Sequence, residues 1–155
     1  MNLRAATEDD LDALAAVHAL AFQSGWSAED IADLGSGPGA FAMIVEDDQP
    51  FGMILCRAVA GEAEILTLAV DPAHRRQGAA LALVEAAALM ARQAGAGEMF
   101  LEVATDNPAA LGLYEKAGFV RAGLRRGYYE RAGNVPVDAV VMRRDLNTGP
   151  ISTYP

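Results

Sequence analysis

This chain has little cysteine, little positive charge and no long apolar run. Its single cysteine among 155 residues, Cys56, has no internal disulfide partner and lies in an apolar segment, so we expect it to pack in a core. No apolar run approaches the roughly 18 residues of a membrane-spanning helix, and residues 1–4 lack the hydrophobic core of a signal peptide. We therefore expect a cytoplasmic protein that does not contact a membrane.

Basic residues are outnumbered, since 12 lysines and arginines against 21 acidic residues give a net charge of −9. This balance argues against a nucleic-acid partner, because neutralising phosphates requires a concentrated basic face. The charges are also uneven: up to Val70 only Arg4 and Arg57 are basic. The acidic half could attract a cationic substrate, and the alternative is ordinary solvated surface charge.

Histidine is scarce as well, and the chain contains only His18 and His74. Neither has a second metal-ligating residue at a useful spacing, so the sequence predicts no metal site. The pattern of a Ser/His/Asp or Cys/His hydrolase is not present either.

The length and the slight excess of apolar residues suit one domain with a substantial core. We expect that domain to span residues 1–146 and residues 147–155 to form a flexible tail. Periodicity and turn signals predict the order strand, two helices, three antiparallel strands, helix, strand, helix and two strands. The predicted strands are Asn2–Ala6, Ala40–Glu46, Phe51–Ala58, Glu62–Val70, Glu98–Ala104, Phe119–Glu130 and Val135–Asp145, with a loop over 131–134. The predicted helices run from the Thr7 cap to Phe22, from the Ser27 cap to Gly35, from Gln77 to Ala94, and from Pro108 to Lys116 with Gly118 as C-cap.

The most informative segment joins the strand that ends at Val70 to the longest helix. The strand breaks at Pro72, and a glycine-bearing loop from Arg75 to Ala80 opens the alanine-rich helix. Backbone N–H groups in the first turn of a helix lack intrahelical partners and lie at the positive end of the macrodipole, so this place suits a phosphate. The segment has neither the Lys-Ser/Thr pair of an ATP loop nor the G-x-G-x-x-G of a dinucleotide loop.

The run from Arg75 to Ala80 resembles the acyl-CoA signature R/Q-x-x-G-x-G/A of the GNAT acetyltransferase superfamily, with alanine in the last place. An ordinary strand-to-helix turn would also explain Gly78. The predicted order of elements is the GNAT order throughout. The resemblance implies an α/β (α+β) fold, in which a single GNAT domain has a mixed central sheet of about seven strands, splayed at its centre and flanked by about four helices.

Three later segments narrow this resemblance. They are Leu101-Glu102-Val103 followed by Asn107, the run L-Y-E-K-A-G-F from Leu113 to Phe119, and the run R-R-G-Y-Y from Arg125 to Tyr129. Together they are similar to the bacterial RimI family of ribosomal-protein-alanine N-acetyltransferases, over nearly all of residues 7–146. The resemblance implies transfer from acetyl-CoA to the N-terminal amine of a basic, alanine-starting ribosomal protein. We expect a monomer or a weak dimer.

Acetyl transfer to an amine requires a base, a polarised carbonyl and an acid for the leaving thiolate. An N-terminal amine, with a pKa of about 8, costs roughly 1 kcal/mol to deprotonate near neutrality, so a carboxylate acting through a water could suffice. The resemblance implies Glu102 as that base and Tyr114 as the acid that protonates the CoA thiolate. The alternatives are a water-facing glutamate on an edge strand and a core-packed tyrosine whose hydroxyl binds backbone.

The resemblance also implies how acetyl-CoA is held. In GNAT folds the strand equivalent to Ile65–Asp71 carries a bulge and exposes a backbone N–H, here near Val70, to the thioester oxygen. The predicted cofactor-binding residues are Leu68, Ala69, Val70, Arg75, Arg76, Gln77, Gly78, Ala79, Ala80 and Asn107. Asn107 fits equally well as the N-cap of the helix that begins at Pro108.

For the acceptor, the resemblance implies a groove formed by Trp26, Tyr128 and Tyr129, although each could instead pack structurally. The chain departs from the family pattern at Gly25, where proline is usual, and at Ala104, where a larger residue is usual. These departures affect the expected peptide preference and leave the transfer chemistry untouched. Transfer to a small amine or a lysine, and a non-catalytic acyl-CoA-binding module, stay open as alternatives.

Overall fold

The computed structural model describes residues 1–22, 25–131 and 134–147. Within them the strands are β1 (Asn2–Ala5), β2 (Ala40–Glu46), β3 (Pro50–Val59), β4 (Glu62–Val70), β5 (Glu98–Ala104), β6 (Val120–Arg131) and β7 (Asn134–Asp145). The α-helices are α1 (Leu11–Ala21), α2 (Ala28–Gly35), α3 (Ala79–Gln93) and α4 (Pro108–Lys116). Short 3₁₀ turns at Glu8–Asp10 and Pro72–His74 precede α1 and α3.

All of these strands belong to one mixed sheet with the order β1-β2-β3-β4-β5-β7-β6. β4 and β5 are parallel, whereas the other neighbouring strands pair in antiparallel fashion. The parallel pair arises because α3 carries the chain from the end of β4 back to the start of β5. The predicted order of elements and the predicted mixed sheet with flanking helices are both confirmed.

The sheet opens between β4 and β5. These two strands pair only where residues 62–64 of β4 lie beside residues 98–100 of β5. From Ile65 and Leu101 onward the strands diverge, while β3 still pairs with β4 and β7 still pairs with β5. The predicted splay at the sheet centre is therefore confirmed, and it leaves a gap between two otherwise well-paired halves.

The predicted bulge is in β4. The register between β3 and β4 shifts so that Leu66 is the extra residue. One extra residue reverses the alternation of side chains along the strand. As a result, Ile65 and Leu68 pack into the same core cluster although they are three residues apart. The bulge thus decides which β4 residues face each side of the sheet.

Helices cover both faces of the sheet, so the chain has two cores. The larger cluster joins the sheet to α3 and α4, with Leu83 and Tyr114 among its members. The smaller one joins it to α1 and α2 through Leu14 and Ile31. Cys56 lies in the larger cluster with none of its surface exposed, and burial raises the pKa of its thiol. Its predicted role in core packing is confirmed.

Two helix boundaries differ from the prediction for the same physical reason. α3 begins at Ala79 rather than Gln77, because Gly78 has a left-handed φ of 78° and serves as the N-cap. α4 is C-capped by Ala117, and Gly118, with φ 91°, is the residue after the cap. A residue in the left-handed region cannot continue a right-handed helix, so α3 begins after Gly78 and α4 ends before Gly118.

Other boundaries agree closely with the predicted ones. The Ser27 cap is confirmed, since its Oγ accepts from the Asp30 N–H at 3.1 Å and the Asp30 carboxylate accepts from the Ser27 N–H. Of the loop predicted over 131–134, the ends belong to β6 and β7, and 132–133 lie outside the described residues. Residues 148–155 of the predicted tail also lie outside them. Among the described helices, none has both the length and the apolar character that crossing a membrane requires.

Candidate active site

The loop between β4 and α3 has the backbone shape of an anion site. Arg76 and Gly78 both have left-handed φ angles, 67° and 78°, which turn successive N–H groups toward one side of the chain. α3 then begins, and its first backbone bond runs from the Ala82 N–H to the Gly78 carbonyl at 3.0 Å. The N–H groups just before Ala82 are left to bind something outside the helix. Arg76 is not glycine, so its left-handed φ is a local strain of the kind found at functional sites.

This loop forms one end of a cleft of about 570 Å³. Every residue predicted to bind the cofactor lines the cleft except Gln77, whose contact with the cofactor stays a prediction. The lining also includes Tyr114 of α4, which the sequence assigned to catalysis. The predicted cofactor-binding residues that line the cleft are Leu68, Ala69, Val70, Arg75, Arg76, Gly78, Ala79, Ala80 and Asn107.

β4 presents backbone donors to the gap in the sheet. The Asp71 N–H donates to the Phe51 carbonyl of β3 at 2.8 Å. Successive N–H groups along an extended strand point to opposite edges, so the Val70 and Leu68 N–H groups point away from β3. That direction is toward the side where β4 has separated from β5. The exposed donor expected near Val70 therefore has a structural basis.

Asn107 caps α4 and also lines the cleft. Its Oδ1 atom accepts from the Ala110 N–H at 3.2 Å, as an N-cap does. The capping bond uses the carbonyl oxygen, and the Nδ2 amide group is left as a donor. The two roles that the sequence left open for Asn107 are thus compatible, because each uses a different end of the side-chain amide.

Tyr114 is buried in the larger core and lines the cleft. Its side chain is buried, and its ring meets Phe119 edge-on at 5.7 Å between centroids. Burial, followed by smaller effects of Cys56 and Tyr129, raises the pKa of the phenol well above its ordinary value of 10. A phenol is protonated at neutral pH even at its ordinary pKa, so the hydroxyl can donate a proton, and the raised pKa makes it a weaker acid.

Glu102 lies on the opposite face of the sheet. Its neighbours Leu101 and Val103 pack into the larger core, so by strand alternation Glu102 points to the other side. There it lines a groove of about 400 Å³ together with Glu62 and Glu64 of β4. Glu102 and Tyr114 therefore lie on two sides of the gap between β4 and β5 rather than in one pocket.

Two residues of β6 contact Glu102. Nη1 of Arg125 donates to both of its carboxylate oxygens, at 2.9 and 3.2 Å. The Tyr129 hydroxyl donates to the Glu102 backbone carbonyl at 3.1 Å. Tyr128 is exposed, and its ring meets that of Tyr129 edge-on at 4.8 Å.

Trp26 lies in the loop between α1 and α2, and the residues lining the two clefts do not include it. Its ring stacks on His18 at 4.9 Å, and its backbone N–H donates to His18 Nδ1 at 3.0 Å. Trp26 packs against the smaller core. The structure thus shows the packing role that the sequence analysis left open for this residue, while a contact with the acceptor stays a prediction.

Sequence reasoning missed the roles of Arg125 and His18. Arg125 belonged to the motif R-R-G-Y-Y, but nothing local indicated which of its two arginines reaches Glu102. His18 is buried and lies 3.0 Å from the Thr67 hydroxyl of β4. A histidine on the apolar face of a helix was the available signal, since a buried imidazole requires polar partners. In the part of the chain that the structure describes, no group of three or more metal-ligating side chains could hold a metal ion.

Residues 9–119 match the sequence profile of the acetyltransferase (GNAT) family. The chain belongs to the GNAT family. The match contains the loop of the anion site, Glu102 and Tyr114, and it ends at the start of the final hairpin that carries Arg125. Membership therefore rests on the half of the site built by β4, α3, β5 and α4.

Individual GNAT proteins extend this similarity. The N-alpha-acetyltransferase RimI of Mycobacterium tuberculosis is 46% identical over 84 residues, which are 54% of this chain and 49% of that protein. A ribosomal-protein-alanine N-acetyltransferase of Escherichia coli is 38% identical over 88 residues, 57% of this chain and 59% of its own length. The aligned part of the chain thus spans only about half the length of these relatives.

The fold similarity covers more of the chain. A crystal structure of the ribosomal-protein-alanine N-acetyltransferase from Escherichia coli superposes with a TM-score of 0.86. The two chains are 27% identical, and the alignment covers 99% of this chain and 98% of the other. The final β6–β7 hairpin is therefore part of the shared fold, although the alignments with sequence relatives are shorter.

Proposed function

We propose that this chain is an acetyl-CoA-dependent N-acetyltransferase that modifies the N-terminal amine of a protein. The observation that carries the proposal is the arrangement around the gap between β4 and β5. A cleft with the shape of an anion site lies along the gap on one face. On the other face a carboxylate-lined groove extends from the paired ends of the two strands to Glu102, where they begin to diverge. Such a gap suits a reaction between two substrates that enter from opposite faces of the sheet. The named relatives favour an alanine-starting ribosomal protein as the acceptor. We propose the cytoplasm as the place of the reaction.

The cleft fits acetyl-CoA in shape and chemistry. Its loop offers the freed N–H groups around Gly78 and the cationic side chains of Arg75 and Arg76 to a pyrophosphate. Leu68 and Val70 line the part of the cleft that suits the pantetheine arm. When bound, acetyl-CoA supplies the activated acetyl group, and the Val70 N–H is proposed to polarise the thioester carbonyl.

Glu102 is proposed as the general base and Tyr114 as the general acid. The Glu102 carboxylate faces the groove and accepts the amine proton through a water, a modest task for an amine whose pKa is about 8. The Tyr114 hydroxyl, which is protonated at neutral pH as an ordinary phenol is, donates to the departing thiolate. Their placement on opposite sides of the gap lets the base face the acceptor groove and the acid face the acetyl-CoA cleft.

The groove is better suited to a peptide than to a small molecule. Its rim includes Val59, which is 49% exposed, and the exposed Glu62 and Glu64. A groove with an exposed rim leaves room for a chain that continues beyond the reacting amine. Tyr128 and Tyr129 at the end of β6 are proposed to contact the first residues of that chain, with Trp26 at the α1–α2 side.

A thiol-release assay tests the proposal. Purified protein and acetyl-CoA are mixed with peptides that differ in their first residue, and separately with polyamines and aminoglycosides. We expect CoA release with an alanine-starting basic peptide and no release when that peptide carries a blocked N-terminus. Release with small amines alone would replace the proposal with a small-molecule acetyltransferase. Tight acetyl-CoA binding without release from any acceptor would identify a non-catalytic binding module.

A further inference from the structure

We propose that Arg125 is a displaceable occupant of the acceptor-amine site, which the incoming N-terminal ammonium must push off Glu102. The inference rests on the proposed function, because it takes Glu102 as the group that receives the amine. It adds a residue that controls acceptor affinity without taking part in the transfer. It is based on the position of the Arg125 guanidinium relative to Glu102, Tyr128 and Glu64.

The guanidinium holds the same carboxylate that the amine requires. Arg125 Nη1 donates to both oxygens of Glu102, at 2.9 and 3.2 Å, and so bridges the face of the carboxylate that lines the groove. The N-terminal amine of a peptide is mostly protonated at neutral pH, since its pKa is about 8. The peptide ammonium and the Arg125 guanidinium therefore compete for the Glu102 carboxylate. In the free protein, Arg125 binds it.

Groups other than Glu102 can stabilise the guanidinium after it is displaced. It lies over the Tyr128 ring at 4.0 Å from the centroid, a distance typical of a cation–π contact. The hydrogen bond to Glu102 and, more weakly, the charge of Glu64 raise the pKa of Arg125, so Glu64 is within electrostatic reach. After displacement, Tyr128 and Glu64 can still stabilise the charge. The Arg125 side chain is 57% exposed, so its movement requires no repacking of a core.

The exposure of the Arg125–Glu102 ion pair limits how much the pair can affect acceptor binding. An ion pair between exposed side chains contributes little, and breaking one weakens acceptor binding by at most about fivefold. The competition with Arg125 would therefore weaken acceptor binding slightly without preventing it. The neighbouring Arg126 is exposed on the same strand and provides a matched control for charge and location.

The test compares steady-state kinetics of wild type, Arg125→Gln, Arg125→Lys and Arg126→Gln with an accepted peptide. We expect Arg125→Gln to lower the peptide KM by about two- to fivefold with kcat undiminished. Arg125→Lys should return KM toward the wild-type value, because it restores the cation, and Arg126→Gln should match wild type. A raised KM or a reduced kcat in Arg125→Gln would overturn the inference and make Arg125 a support for Glu102.

A second ligand separates charge competition from simple steric relief. A peptide whose first residue carries a hydroxyl in place of the amine is neutral and binds as an inhibitor. Its inhibition constant should be the same for wild type and Arg125→Gln, and an equal gain for this peptide would overturn the inference. Turnover by the wild-type protein tests the proposed function itself, whereas the ratios between variants test Arg125, so the two failures are distinguishable.

Discussion

Nε2 of His18 in α1 lies 3.0 Å from Oγ1 of Thr67 in β4. The Trp26 N–H donates to the other ring nitrogen, Nδ1, so Nε2 carries the proton and donates to the Thr67 hydroxyl. One neutral imidazole thus joins a helix, the loop that follows it and the strand beside the Leu66 bulge. The contact anchors α1 and the loop after it to the strand that is proposed to hold acetyl-CoA.

This contact predicts how stability depends on pH. Burial lowers the pKa of His18 below its ordinary value of 6.5, so the unfolded chain binds a proton more readily than the native one. The contribution of His18 to stability is therefore complete above about pH 6.5 and is lost as the pH falls below it. Urea unfolding between pH 5 and 8 should show the free energy of unfolding decreasing toward the acidic end.

His18→Gln supplies the comparison for that measurement. The variant should lose about 1–3 kcal/mol at pH 7.5, because the Trp26 N–H and the Thr67 hydroxyl lose a well-placed partner. Its stability should also depend less on pH than that of wild type across the same range. Equal slopes in the two proteins would show that His18 does not cause the pH dependence.

Glu102→Gln removes the proposed base while keeping the shape of the side chain. We expect turnover at neutral pH to fall by about two to four orders of magnitude with acetyl-CoA affinity unchanged. Glu98→Gln is the matched control, since Glu98 lies on the same face of β5 but pairs with Arg143 at 2.7 Å. If Glu102→Gln were as active as Glu98→Gln, the base would have to be another group.

Tyr114→Phe removes only the proposed acidic hydroxyl. The ring and its edge contact with Phe119 persist, so the free energy of unfolding should change by no more than about 1 kcal/mol. Turnover should fall by about two orders of magnitude or more, because the thiolate would leave without a proton. Rapid-quench kinetics and acetyl-CoA titration separate the chemical step from binding, and unchanged turnover would contradict the acid role.

Gly78→Ala tests the anion site through the backbone. Gly78 and Gly95 lie at opposite ends of α3, both have left-handed φ angles, and an added Cβ would have open space at either position. Each alanine variant should therefore lose a similar stability, about 1–2 kcal/mol. Only Gly78→Ala should also weaken acetyl-CoA binding, as measured by calorimetry. Equal affinity in the two variants would mean that the phosphates are held elsewhere.

Much of the fold was predictable because its signals are local. The Ser27 capping box, the proline at the start of α4 and the limits of β2, β4 and β5 all follow from residues within a few positions of each other. The errors were local too, since the left-handed Gly78 delays α3 past the predicted start at Gln77.

The site was predictable only in part. Tyr114 and the loop around Gly78 line one cleft, in agreement with the motifs. Asn107 caps α4, also in agreement with them. The arrangement of Glu102 was not predictable beyond its position in β5. Its side chain meets Arg125, which is 23 residues away along the chain and reaches it only because β6 and β7 complete the sheet.

By itself, the amino-acid sequence determined the order of strands and helices, the anion-binding turn and the membership of the GNAT family, since these depend on short-range pattern. Tertiary structure decided which side of the sheet each group faces. The bulge at Leu66 reverses the alternation along β4, and the divergence of β4 from β5 opens the gap between Tyr114 and Glu102. The contacts of His18 and Arg125 followed from packing between distant segments, which no local pattern encodes.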